Sequence, residues 1–157
     1  MNIENRSNAQ RIKLVFFALP FLFVFTVGPL IIFDISSGFE IIVTLAVVIA
    51  LLYIALNFLD FNYLNISIDK KKLHIKYFGL APLNKEYKRF QIKAAEVYGY
   101  EIKPSFFGLK KMLVVFRKDR GELFKYPPVN INALNKRDTE QLIKGLELLT
   151  NINKRLT

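Results

Sequence analysis

The sequence predicts a membrane α-hairpin followed by an α+β soluble domain, an antiparallel β-barrel or sandwich capped by a C-terminal α-helix. Three observations lead to this fold class. Two long runs without a charged residue lie close together in the first part of the chain. Beyond them the apolar residues change to a period of two, and the chain ends in an apolar stripe at helical spacing.

The two uncharged runs extend over Leu14–Phe33 and Ile41–Leu59. A helix rises ~1.5 Å per residue, so each run is long enough to cross the roughly 30 Å hydrocarbon core of a bilayer. The residues between them, Asp34–Glu40, are predicted to form a tight turn. We therefore expect residues 14–59 to be a two-helix transmembrane hairpin.

Charge on either side of this hairpin predicts its orientation. The turn has two acidic residues and no Lys or Arg, whereas residues 1–13 carry three basic residues and residues 60–157 carry twenty. Because Lys and Arg are retained on the cytoplasmic side, both termini are expected there. Residues 1–13 then form a cytoplasmic tail, whose first part, Met1–Asn8, is expected to fray. Residues 60–157 form a cytoplasmic domain.

Alternating apolar and polar residues predict a series of strands after Asp60. Charged or Pro- and Gly-containing segments separate them, such as Asp69–Lys72 and Pro104–Gly108. The predicted strands are Tyr63–Ile68, Leu73–Tyr77, Lys85–Lys93, Glu96–Lys103, Lys111–Lys118, Glu122–Tyr126 and a short piece at Val129–Ile131.

The last segment is predicted to be an amphipathic helix. Asn135 is the candidate N-cap, and Gly145 lies within the helix, where it allows close packing. Apolar residues at helical spacing form the stripe that is expected to cover the sheet: Leu142, Ile143, Leu146, Leu149, Ile152 and Leu156.

This order of elements resembles the small bacterial membrane proteins that have two transmembrane helices and a pleckstrin-homology-like domain. The residues that carry the resemblance are Leu64–Ile75 as a first hairpin, Phe106–Leu109 before a hydrophobic strand and Tyr126–Ile131 before the helix. It implies a bent seven-stranded sheet closed by a helix, and a binding module without enzymatic activity. The composition, rich in Phe, Lys, Asn and Ile, is typical of AT-rich bacterial genomes. We therefore expect a two-pass protein of the bacterial inner membrane.

Motifs of enzymes are missing from the sequence. It contains no glycine-rich phosphate loop and no G-x-S-x-G, and it has no cysteine and a single histidine, His74. Cysteine-thiolate and multi-histidine metal sites are thereby excluded. We expect no enzymatic activity and no cofactor.

Strand geometry separates the basic and aromatic clusters into two sites. At ~3.3 Å per residue, the first strand carries a distal basic tip of Lys70, Lys71 and Lys72 several Debye lengths from the bilayer. The next loops return toward the bilayer, where apolar tips beside lysines suit an interfacial contact. The residues predicted to contact the membrane surface are Phe78, Leu80, Leu83, Lys103, Phe106, Phe107, Lys110 and Lys111.

The function predicted from these features is a non-enzymatic, inner-membrane-anchored adaptor that contacts a protein partner or anionic lipid headgroups. An alternative is an accessory subunit of a membrane complex for transport or secretion, acting mainly through its transmembrane helices. A third interpretation, a small transporter or membrane enzyme, is disfavoured because the two uncharged runs contain no ionisable group for a transport path. For the basic clusters themselves, the first interpretation is a solvated surface that follows the positive-inside bias, and anionic lipid headgroups come second. Nucleic acid is the least favoured partner, because the chain lacks a recognition motif.

Overall fold

A computed structural model describes most of the chain, with several short segments outside it. The described residues are 1–32, 39–69, 71–82, 87–119 and 121–156. Most of the predicted turn after the first apolar run lies outside them.

Two long apolar helices are present, as predicted. Helix α1 extends over Arg6–Ile32 and helix α2 over Phe39–Leu59, and both are long and apolar enough to cross a membrane. The two helices pack against each other, with the ring of Phe16 edge-on to Tyr53 at 6.1 Å between centroids. Most of their other large apolar side chains are exposed. Helix α1 begins eight residues before the uncharged run, so its first two turns lie beside the β domain.

The described strands form two antiparallel sheets. In the first sheet they follow the order β1-β2-β3-β4, and in the second β5 pairs with β6, which pairs on its other side with β7 and β8. Their bounds are β1 Asn2–Glu4, β2 Asn62–Ile68, β3 Lys72–Gly79, β4 Tyr87–Lys93, β5 Val97–Ser105, β6 Lys110–Asp119, β7 Glu122–Lys125 and β8 Val129–Asn130.

The expectation that the first residues fray is wrong. Residues Asn2–Glu4 pair with β2, the Met1 ammonium donates to the Ile68 carbonyl at 2.8 Å, and Ile3 is buried in the core. Asn5 ends the strand and begins α1. Its side chain accepts a hydrogen bond from the Leu64 N–H at 2.8 Å, while its carbonyl accepts the first helical bond from Ala9. The N-terminal residues are therefore an edge of the β domain.

The core lies between the two sheets and a C-terminal helix, α3, over Lys136–Leu156. Leu142 and Leu146 are fully buried, which confirms the predicted stripe; the side chains of Ile152 and Leu156 lie outside the described part. Asn135 is the N-cap, because its Oδ1 accepts from the Asp138 N–H at 2.7 Å.

Gly145 marks the closest approach of α3 to the first sheet. A Cβ atom at this position would lie 2.6 Å from Ile68 Cδ1 and would also meet the Met1 side chain. Glycine therefore lets the helix contact both the end of β2 and the N-terminus. The predicted close packing at this residue is confirmed.

The predicted barrel is not closed among the described strands. The two sheets meet through a 3-10 turn at Ala94–Glu96, and at the open side the ring of Phe90 stacks on Tyr126 at 4.7 Å. The observed architecture is an antiparallel two-sheet domain with a covering helix.

Replacement of Leu146 by Asp is expected to abolish cooperative unfolding of the β domain. This side chain is fully buried, and an unpaired buried carboxylate costs several kcal/mol, comparable with the stability of a small domain. The measurement is thermal unfolding of the full chain in detergent, followed by tyrosine near-ultraviolet circular dichroism.

Leu148→Asp is the matched control, since Leu148 lies on the same helix and is 65% exposed. Its melting curve should resemble that of the unmodified chain. Equal melting of the two variants would show that α3 does not cover the core.

Candidate membrane-surface site

One end of the β domain adjoins both apolar helices; we call it the helix-proximal face. It comprises the helix-side end of β2 and β3, where Asn62 pairs with Gly79, and the turn between β5 and β6. The hairpin that joins β2 to β3 lies at the opposite end, beyond the pair of Ile68 and Leu73.

The turn between β5 and β6, here called the aromatic turn, is Phe106–Leu109. Phe106 and Phe107 both have φ near +50°, the left-handed region, and Gly108 follows at +84°. Left-handed backbone costs roughly 1–2 kcal/mol for a residue with a side chain. Phe107 is nevertheless 98% exposed, and its ring lies edge-on to that of Phe106 at 5.7 Å between centroids, so burial within the protein offsets little of this cost.

The aromatic turn packs against the end of α2 through contacts between aromatic rings. The rings of Phe106 and Phe58 lie 4.7 Å apart, and Phe58 belongs to the last turn of α2. Lys110 extends over both, with its Nζ 5.4 Å from the Phe58 centroid and 6.0 Å from that of Phe106. The turn therefore places Phe107 beside the end of an apolar helix and close to the ammonium group of Lys110.

Two asparagines connect the same turn to the helix through the backbone. Asn130 is 1% exposed and donates to the carbonyls of Leu59 and Asp60 at 2.7 and 2.9 Å. Its Oδ1 accepts from the Asn132 N–H at 2.9 Å. The side chain of Asn132 in turn accepts from Lys111 N–H and donates to the Leu109 carbonyl. This chain of bonds fixes the aromatic turn relative to α2.

The second part of the helix-proximal face lies beside α1. Phe78 stacks on Tyr63 at 4.7 Å, and the Nζ of Lys13 lies 5.2 Å from the Phe78 centroid. Leu80 is only 3% exposed and its N–H donates to the Phe61 carbonyl at 2.8 Å. The predicted surface contact of Leu80 is thereby corrected, because its side chain packs inside the protein.

The predicted lysines are distributed over both ends of the domain. Lys103 forms an exposed ion pair with Glu101 at 3.1 Å, and Lys111 is exposed near the aromatic turn. Lys71 and Lys72 are exposed at the opposite end of the domain. Lys70 and Leu83 lie outside the described residues. Among the predicted contacts, the structure brings together Phe106, Phe107, Lys110 and Lys111, and it places Phe78 on the other side of the face.

A cleft of ≈ 270 Å³ opens between the two sheets at this face. Asp60, Tyr77, Lys88 and Asn130 contribute polar groups to its lining. Burial raises the pKa of Tyr77; the charge of Lys88 lowers it and that of Asp60 raises it. The cleft is therefore lined by groups of both charge signs. Within the described chain, no three His, Cys, Asp or Glu side chains come together as a metal site.

Sequence reasoning missed the residues that anchor this site. The sequence places Lys13 in the tail, Phe58 in the hairpin and Asn130 in the short extended piece, and it gives Asn132 no role. Their contacts join segments 21 to 71 residues apart. Two closely spaced asparagines between Pro128 and the C-terminal helix are the one local signal, because buried amides need partners.

Comparisons of this chain with protein-family models, with curated proteins and with solved structures found no match.

Replacing Asn130 by Ala should destabilise the junction between α2 and the β domain. The change removes two donated bonds and leaves the carbonyls of Leu59 and Asp60 without this partner. We expect the free energy of unfolding to fall by about 2–4 kcal/mol. Thermal unfolding in detergent measures the change.

The control is Asn151→Ala, on the exposed side of α3. It should leave the transition within about 0.5 kcal/mol of the original. If Asn130→Ala were equally neutral, the amide network would not hold the aromatic turn to the helix.

Proposed function

We propose that this chain is a non-enzymatic binding module of the bacterial inner membrane, anchored by α1 and α2. In this proposal its pleckstrin-homology-like domain rests on the cytoplasmic leaflet and contacts anionic lipid headgroups through the helix-proximal face. The observation that carries the proposal is the 98% exposed Phe107, held on a left-handed turn beside the last residues of α2.

The position of Phe58 supports insertion of this ring. If α2 spans the bilayer, its last turn lies at the interface, and the Phe106 ring packed on Phe58 lies at the same depth. Phe107 then extends into the headgroup or upper acyl region, where full burial of its ring contributes roughly 1.5–3 kcal/mol. That gain is comparable with the cost of the left-handed backbone, which explains why the turn tolerates it.

Charge near the aromatic turn supports an anionic leaflet as the ligand. Lys103, Lys110 and Lys111 flank it, and each lysine near such a surface contributes about 1 kcal/mol. Salt within a Debye length of ~8 Å screens this attraction. Lys71 and Lys72, at the opposite end of the domain, contribute nothing to it.

The fold supports the family assignment in the proposal. Two antiparallel sheets meet at a corner, and an amphipathic C-terminal helix covers the core between them. The resemblance implies a bent seven-stranded sheet closed by a helix, so the covering helix supports the proposal, whereas the described strands form two sheets that do not close into a barrel.

Topology provides the first test. The first residues of the chain pair with β2, so the amino terminus lies on the same side of the helices as the β domain. We expect reporter fusions at Thr157 to be active in the cytoplasm and insertions at Ser37 to be active in the periplasm, because of the Lys and Arg asymmetry. A periplasmic signal at Thr157 would contradict the proposal.

A tryptophan at position 107 provides the second test, because the chain contains no natural tryptophan. In the full chain reconstituted into bilayers, Phe107→Trp should emit at shorter wavelength than an exposed indole and be quenched by lipids with brominated acyl chains. Leu123→Trp is the control, since Leu123 is 56% exposed near the far end of β6. Identical emission and quenching of the two variants would rule out insertion of the aromatic turn.

The lysines are tested on the Phe107→Trp background. Quenching of the Trp should be stronger in bilayers that contain phosphatidylglycerol than in bilayers without it. The combined substitutions Lys103→Ser, Lys110→Ser and Lys111→Ser should remove this increase. Ser at positions 71 and 72 should leave it unchanged. An increase that depends on positions 71 and 72 would place the lipid site at the opposite end of the domain.

A further inference from the structure

The outer face of β3 and β4 pairs like charges across the strands. Lys72 lies opposite Lys93, and Lys76 lies opposite Arg89. Like charges directly opposite each other destabilise a sheet. Folding alone therefore does not account for this pattern, and a negatively charged ligand on the face would relieve it.

Among the described residues, ion pairs with carboxylates involve only part of this charge. Lys93 is exposed and forms an ion pair with the largely buried Glu96 at 3.0 Å, but Glu96 also binds Arg117 Nε at 2.7 Å. In the described parts of the chain, no carboxylate forms an ion pair with Lys72, Lys76 or Arg89. The face is therefore a strip of positive charge that extends away from the helix-proximal face.

The free edge of β4 carries backbone groups as well as charge. The Ala94 N–H donates to the Lys71 carbonyl at 2.9 Å, which makes these two residues a hydrogen-bonded pair. Such pairs alternate along an antiparallel ladder. On β4, every second residue lies between two hydrogen-bonded pairs, and its N–H and C=O groups point away from β3. These residues are Tyr87, Arg89, Gln91 and Lys93. Among the described strands, none pairs with this edge.

We propose that the β4 edge binds an acidic polypeptide strand of a partner protein, which extends the first sheet by one strand. A strand matches the outward backbone groups, and its acidic side chains match Arg89 and Lys93. Nucleic acid has no backbone amides for this edge. A second copy of β4 would place cations against cations. The bilayer lies at one end of the strip, beyond reach of Lys72 and Lys93.

The register defines the sequence of the partner strand. Arg89, Gln91 and Lys93 share the outer face, so acidic residues are needed at every second position of the partner. The residues between them lie beside Phe90 and Ile92 on the inner face, where apolar side chains fit. The partner segment is therefore an extended stretch of alternating acidic and apolar residues.

His74 reports on this face because it is the only histidine in the chain. It lies opposite Gln91, between the two cationic pairs. Burial lowers the pKa of His74, as do the charges of Lys76, Arg89 and Lys72. An acidic strand on the β4 edge brings negative charge to the same face, so its binding raises the pKa of His74.

The test uses the full chain in phosphatidylcholine nanodiscs, so it does not depend on the anionic lipid contact. The probe is a capped heptapeptide of alternating Glu and Val. We expect saturable binding, and an upward shift of the His74 pKa followed by NMR. Arg89→Ser with Lys93→Ser should weaken binding about tenfold, as expected for the loss of two cross-strand ion pairs. Lys136→Ser with Lys144→Ser, on α3, removes the same charge and should have no effect.

Two further ligands separate strand addition from simple charge attraction. The same peptide with N-methylated amides along its binding edge cannot donate to β4 and should lose at least about tenfold in affinity. Equal binding of the methylated peptide would overturn the proposal. Tighter binding of a single-stranded oligonucleotide of equal charge would also overturn it. So would an equal loss of affinity in the β4 variant, Arg89→Ser with Lys93→Ser, and in the α3 variant, Lys136→Ser with Lys144→Ser.

Discussion

Both apolar helices are connected to the β domain through adjacent strands of one sheet, and this connection determines which face of the domain lies beside them. Helix α1 follows β1 with only Asn5 between them, and α2 is joined to β2 through Asp60 and Phe61. Because β1 and β2 pair antiparallel, the ends of the helices lie side by side. The face of the domain that meets the helices is therefore set by strand pairing rather than by a flexible linker.

Hydrogen bonds from asparagine side chains connect the helix ends to the β domain. Asn5 bonds to β2 on one side of the helix pair, and Asn130 and Asn132 connect α2 to the aromatic turn on the other. An amide both donates and accepts, so it satisfies the backbone groups that helix ends leave unpaired. It also remains neutral when buried, which avoids the cost of a desolvated charge.

Two features of the domain do not serve its stability. The aromatic turn holds two phenylalanines in a left-handed backbone, and the β3–β4 face sets like charges against each other. Local rules are most often broken at functional sites. The two features lie on different surfaces, one on the helix-proximal face and the other along the β4 edge. Under the two proposals, a single domain contacts lipid and a protein strand at the same time.

Elements that have a local signal could be predicted from the sequence alone. The length of the uncharged runs predicted both apolar helices, and periodicity predicted most strands and the buried stripe of α3. Residue type predicted the N-cap at Asn135, and turn composition placed Phe106 and Phe107 in a loop. Only the tertiary structure showed that residues 2–4 form a strand, that Leu80 is buried and that Phe58 and Lys13 support the site. A strand of three residues, such as β1, is too short for its alternation of apolar and polar residues to be recognised in the sequence. Its stability, like the burial of one leucine, comes from partners about sixty residues away or from packing that local sequence does not encode.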